Sequence, residues 1–218
     1  MLRETVAWKV GTWDKLKREA TLSVKRVSVL LASSVFLASF AIGDDLESVR
    51  KAPALSFIIP GQGQKTLSAY EGKVVALEFI FTTCPHCKAA SHVMTKLQSE
   101  YGSKGLQVID VAINPNSDLL VEDFAKEQQV NFPVGWAPST NMTTFMGFSA
   151  DRYVVPQLVL IDRKGFIHYQ TPATENDKWD RLMKEETIRQ HIEQLLSTKA
   201  KGKPDRLSSQ AASEKKGR

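Results

Sequence analysis

Between residues 52 and 197 the chain alternates short apolar runs with stretches of helical period. Val74–Phe81 (VVALEFIF) is nearly continuous in apolar residues, as in strands covered on both faces, and Leu106–Ile113 is a second run of the same kind. Leu55–Ile59 reads as a further strand, and Gly61-Gln62-Gly63 as the turn that ends it. From Pro85 to Tyr101 the residues Ala90, Val93, Met94, Leu97 and Tyr101 follow the spacing of a helical core stripe. Asp118–Gln129 predicts a helix capped by Ser117 or Asp118. Gln157–Asp162 and Phe166–Gln170 flank Arg163-Lys164-Gly165, a hairpin pattern. Trp179–Ser197 closes as one helix, with Ile188, Ile192 and Leu195 on one side. Strands and helices in this order predict an α/β fold. Trp136 and Met142–Phe148, in the long stretch before the hairpin, would either border a groove or pack in the core.

The two ends follow other patterns. Val27–Ile42 is a sixteen-residue stretch without charge, entered by Lys25-Arg26 and left by Gly43-Asp44-Asp45. Its length falls between the apolar region of a signal peptide, about 7–15 residues, and a membrane span of about 17–25. It reads as a signal anchor or a signal peptide, and the long leader before it favours the anchor. Basic residues before it and acidic ones after it place the body outside the cytoplasm, in the periplasm or its equivalent. Val6, Val10 and Trp13, at helical spacing among lysines, allow a basic leader lying on the inner membrane surface. The tail has almost no apolar residues and reads as disordered. The expected organisation is a cytoplasmic basic leader at 1–26, the anchor or signal at 27–43, one folded domain at 44–198 and a basic tail at 199–218.

Composition sharpens this picture. With 218 residues and 42% apolar content the chain can bury the core of one domain. The net charge of +5 suggests nucleic acid until it is located: residues 1–26 carry seven basic and three acidic residues, and 199–218 carry seven and two. The body between them holds 15 basic and 19 acidic residues, which argues against a nucleic-acid groove.

Two cysteines cannot staple a domain of this size, and here they stand in the motif Cys84-Pro85-His86-Cys87, just after an apolar strand. Pro85 suits the first position of a helix, where a missing N–H costs nothing. The unpaired N–H groups and positive dipole end of that helix then favour a thiolate at Cys84, the attacking sulfur. Cys87 falls on the core stripe and is placed to resolve a mixed disulfide. His86, a cation or donor beside the thiolate, would stabilise the reduced pair and make its disulfide the better oxidant. Glu78 is the one charge in its apolar run. Buried there, it would hold its proton to higher pH and be able to take the proton of Cys87.

Other uses of a C-x-x-C motif fit less well. Covalent haem attachment needs histidine after the second cysteine, where this chain has Lys88. Zinc needs two more ligands, and only His92, His168 and His191 remain outside the motif. No resident metal or cofactor is expected, although copper held by Cys84, Cys87 and His168 stays open as an alternative.

The strand, then Cys-Pro-His-Cys opening a helix, then Val155-Pro156 before an apolar strand, resembles the thioredoxin superfamily over about residues 52–197. The opening APALSFIIPGQGQKTLSAYEGKVVALEF is similar to its membrane-anchored TlpA/ResA-like branch, whereas Cys-Pro-His-Cys and Val-Pro resemble the DsbA family. The resemblance implies a thioredoxin-like fold, a central mixed β-sheet flanked by helices. It also implies a nucleophile at Cys84, a resolving cysteine at Cys87, a buried acid at Glu78 and a cis-proline at Pro156 facing the pair. Val155 would offer its backbone to an extended substrate chain. The expected activity is thiol–disulfide exchange with cysteine-containing proteins, served by a membrane or periplasmic redox partner. The alternative is a copper-binding or cytochrome-assembly module using the same sulfurs.

Overall fold

The computed structural model describes residues 49–148 and 152–198. The basic leader, the apolar segment 27–42 and the tail 199–218 lie outside the described residues. Within them an eight-stranded mixed sheet has the order β1-β8-β7-β4-β5-β6-β2-β3. The strands are β1 (Arg50–Lys51), β2 (Ser56–Ile59), β3 (Gly63–Thr66), β4 (Val74–Ile80), β5 (Leu106–Ala112), β6 (Val134–Trp136), β7 (Gln157–Ile161) and β8 (Phe166–Gln170). β4 pairs in parallel with β5, and β5 with β6, whereas β7 runs antiparallel to β4 on its other side.

The helices are α1 (Pro85–Tyr101), α2 (Ser117–Glu127), α3 (Ser139–Met146), α4 (Asp177–Leu182) and α5 (Glu185–Ser197). One sheet face packs Ala76, Ile80, Val108 and Leu160 against α1, α2 and α5; Met94, Leu97, Phe124 and Ile192 come from those helices. The other face packs Leu77, Phe79, Ile109 and Val159 against Met142, Phe145 and Met146 of α3. Every residue of β4 is buried, as its unbroken apolar run requires. This is the thioredoxin-like arrangement that the resemblance implies.

Several details differ from the sequence reading. The Gly61–Gly63 turn leads into a strand, β3, that hydrogen-bonds back on β2. β6, only three residues long, is too short for a periodic signal. Met142, Phe145 and Met146 form a core helix, so the packing alternative for that stretch holds. The closing helix is two helices, α4 and α5, with Asn176 capping the first by accepting the Trp179 N–H. α2 is capped by neither Ser117 nor Asp118: Asn116 takes the N-cap position with φ 58°. In α1 Ser91 is fully buried, whereas the neighbouring Ala90 is only half-buried. Serine fits there because it finds a buried partner, described below.

At Gly135 of β6 the backbone lies hard against β2. A Cβ at this position would lie 2.7 Å from the Ile58 carbonyl oxygen and 2.9 Å from the Phe57 ring. Because one obstacle is backbone, the strand pair must shift to admit a methyl group. Gly135→Ala is expected to lower stability by about 1–3 kcal/mol, the usual cost of overpacking, as measured by urea unfolding.

Candidate active site

β4 ends at Ile80, and the chain turns through Phe81–Thr83 into α1. Asn114, just beyond β5, holds this turn: its Oδ1 accepts the Thr82 N–H at 2.9 Å, and its Nδ2 donates to Thr82 Oγ1 at 3.1 Å. Cys84 is the N-cap of α1, in extended conformation (φ −82°, ψ 123°), with Pro85 at the first helical turn. No side-chain hydrogen bond caps this end, and Cys84 stands at the positive pole of the helix dipole. Cys84 is half-buried, and Cys87, one turn later, is 0% exposed; both are free thiols. The Cys87 sulfur accepts the Phe81 N–H at 3.4 Å. Burial pushes the Cys87 thiol well above the ordinary range, and the neighbouring Cys84 adds to this, while the Phe81 N–H acts in the opposite direction. Cys87 therefore keeps its proton until something accepts it.

The Val155-Pro156 peptide bond is cis, and the Val155 carbonyl oxygen lies 4.0 Å from the Cys84 sulfur. The loop is held from beneath by Gln157, itself 0% exposed. Its amide donates to the carbonyls of Val154 (2.9 Å) and Pro172 (3.1 Å), while its Oε1 accepts the Thr171 hydroxyl at 2.6 Å.

Glu78 is 0% exposed, on the sheet face that α1 covers. Directly across from it on β5 is Asp110, also 0% exposed. The Ser91 hydroxyl of α1 donates to Asp110 Oδ2 at 2.7 Å. Burial raises the proton affinity of both carboxyls, and the facing charge of Asp110 raises that of Glu78 further. The side chains brought together are thus Cys84, Cys87, Glu78 and, through its backbone, Val155 beside Pro156. Asp110, Ser91, Asn114 and Gln157 were not singled out by the sequence reading. Only Asp110 carried a signal, as the one charge within its apolar strand.

His86 is exposed in the first turn of α1, and His92 is exposed farther along it. His168 does not join the cysteines. Its Nε2 is 3.0 Å from Asp162 Oδ2, and Asp162 follows the end of β7 that is registered with Val75. The cysteines follow the other end of β4, so the copper set Cys84, Cys87 and His168 does not converge. Among the described residues no group of three or more His, Cys, Asp or Glu side chains is placed to hold a metal ion.

The sequence model of the Redoxin family matches residues 48–188. The chain is similar to the thiol-disulfide oxidoreductase ResA of Oceanobacillus iheyensis, with 34% identity over 131 residues, covering 56% of this chain and 68% of that one. It is 29% identical over 158 residues to the ResA of Halalkalibacterium halodurans, covering 71% of this chain and 86% of the other. Among solved structures it superposes on a Chlorobium tepidum protein described as the thiol:disulfide interchange protein DsbE. The TM-score is 0.56 at 25% identity, over 69% of this chain and 99% of that one. No helix among the described residues is long and apolar enough to cross a membrane. A thioredoxin-like sheet with a cysteine pair at the head of α1, matched over most of its length by one family, leads to one assignment: the chain belongs to the Redoxin family.

Proposed function

We propose that the protein is an extracytoplasmic thiol–disulfide oxidoreductase that exchanges disulfides with cysteine-containing proteins through a mixed disulfide at Cys84. The observation that carries this reading is a half-exposed sulfur at the uncapped start of α1, with a fully buried second thiol one turn behind it. The Cys84 thiolate attacks one sulfur of a substrate disulfide. The substrate S–S bond breaks, and the released thiolate takes a proton from water. Cys87 then loses its proton toward Glu78 and attacks the Cys84 sulfur, which leaves the substrate reduced by two electrons and the pair oxidised. Run in reverse, the same steps donate a disulfide. The Val155 carbonyl, 4.0 Å from the reacting sulfur, supports a role for this loop in pairing with an extended substrate chain. Segment 27–42 serves as the membrane anchor or export signal, and a membrane or periplasmic redox partner resets the pair.

His86 is proposed to tilt the couple toward oxidation by favouring the reduced, charged form. Equilibrating the pair with glutathione buffers tests both statements. The protein should show one reversible two-electron couple, and His86→Pro should lower its potential by ~30 mV or more, equivalent to about 1.4 kcal/mol. A pair that fails to equilibrate overturns the exchange reading, and an unmoved potential overturns the role of His86.

A further inference from the structure

The buried carboxyls raise a question that a lone Glu78 does not answer. Glu78 Oε1 and Oε2 and Asp110 Oδ1 are all buried with no N–H or O–H donor from another residue, the two carboxyls bear on each other, and Ser91 donates to Asp110 Oδ2 alone. An ionised carboxylate without a donor in an apolar layer is costly, and two of them facing each other across paired strands are costlier. A single shared proton resolves this. The donor from Ser91 marks Asp110 as the charged partner, so the proton belongs on Glu78, whose O–H then satisfies Asp110 Oδ1. This leaves one Glu78 oxygen with only acceptor capacity, on the face shared with Cys87. A Glu78 that already holds a proton cannot simply take a second from Cys87.

The geometry points to Asp110 as the final proton acceptor of the resolving step and to Glu78 as the relay to it. As Cys87 attacks the mixed disulfide, its proton passes to the free oxygen of Glu78 while the proton already on Glu78 passes to Asp110. The pair goes from one negative charge to neutral, the Cys84–Cys87 bond forms, and the substrate leaves as a thiolate. Reduction of the disulfide later returns the proton to Cys87. This assignment rests on the exchange reading above and adds a residue that acts through Glu78. The other groups bearing on the pair are Cys87 and Ser91 of α1, and Cys84 at that helix's N-cap bears on Cys87. On the same sheet face, His191 of α5 is stacked on Tyr169 of β8 at 3.6 Å between ring centroids. From β7, the residue across from Glu78 is the apolar Leu158.

The test follows the full-length reduced protein as it reacts with an aromatic disulfide whose released thiolate is coloured. The first release reports attack by Cys84, and the second reports closure by Cys87. In the wild type the closure rate should rise with pH through one apparent inflection belonging to the pair. Asp110→Leu, close to isosteric, removes the acceptor and the shared-proton anion. The inflection should move up by about one unit, with closure slowed about tenfold at pH 7. Ser91→Ala, which only removes the donor to Asp110, should move it in the same direction by less, and Asp110→Glu should restore closure in part. If Glu78 acted alone, loss of the facing charge would ease its ionisation and move the inflection down. An inflection that stays put or falls in either variant overturns the relay. A wild-type protein that shows no first release overturns instead the exchange reading beneath it.

Discussion

Cys84→Ser is expected to reduce disulfide exchange to background, and Cys87→Ser to turn the protein into a trap. The two substitutions act differently because the two sulfurs are placed differently. Cys84 is half-exposed at the start of α1, at the positive end of its dipole, so its loss removes the one thiol of the two that a protein substrate can reach. Serine is too weak a nucleophile to take over without an adjacent base. Cys87 is wholly buried and touches no substrate. Its removal leaves the first attack intact but deletes the group that releases the product. Incubated with a disulfide-bonded peptide, the Cys87→Ser protein should accumulate a one-to-one adduct, stable to gel electrophoresis without reductant and cleaved by added thiol. The Cys84→Ser protein should form none. An adduct in the Cys84→Ser protein would reverse the assignment of the two sulfurs.

Stability should fall as pH rises from 5 to 8. In the unfolded chain Glu78 and Asp110 lose their protons near pH 4, whereas in the fold burial, and for Glu78 the facing Asp110 charge as well, keep at least one proton on the pair. Because the folded state binds more protons over this interval, each unit of pH costs about 1.4 kcal/mol per retained proton until the pair itself titrates. Below the unfolded carboxyl range both states are protonated and the penalty vanishes. Glu78→Gln removes the retained proton and gives Asp110 an amide donor. The variant should therefore show a flatter profile and gain on the wild type by up to ~1.4 kcal/mol per pH unit toward pH 8, while closure of its mixed disulfide slows. Urea midpoints at pH 5, 6, 7 and 8 read this directly. A wild-type profile without a downward slope would show that the pair is fully ionised in the fold.

The parts of the molecule legible in the sequence are those where a single local pattern decides the outcome. β4 and α1 emerge at nearly their observed bounds, because one is an unbroken apolar run and the other a helical stripe opened by proline. Glu78 was conspicuous for the same reason, as a charge with no polar neighbours in its strand. Asp110 offered the same cue inside Leu106–Ala112, but its meaning depends on register. Only the parallel pairing of β4 with β5 brings residues 78 and 110 face to face. Ser91 was hidden for a related reason: a polar residue reads as surface until its buried partner is known. The break between α4 and α5 carries no proline or glycine, and β6 is shorter than the window over which alternation can be recognised.

The chain enters the domain at β1, which pairs with Phe166 and Ile167 of β8; through β7 this places Arg50 level with Val75. Cys84 follows the opposite end of β4, on the order of 20 Å away along the strand direction. Arg50 itself thus stands at the end of the sheet remote from the reactive thiol, so a surface or fusion partner joined close ahead of it meets the molecule at that end. Immobilised through that end, the molecule should keep its reacting face open to large clients.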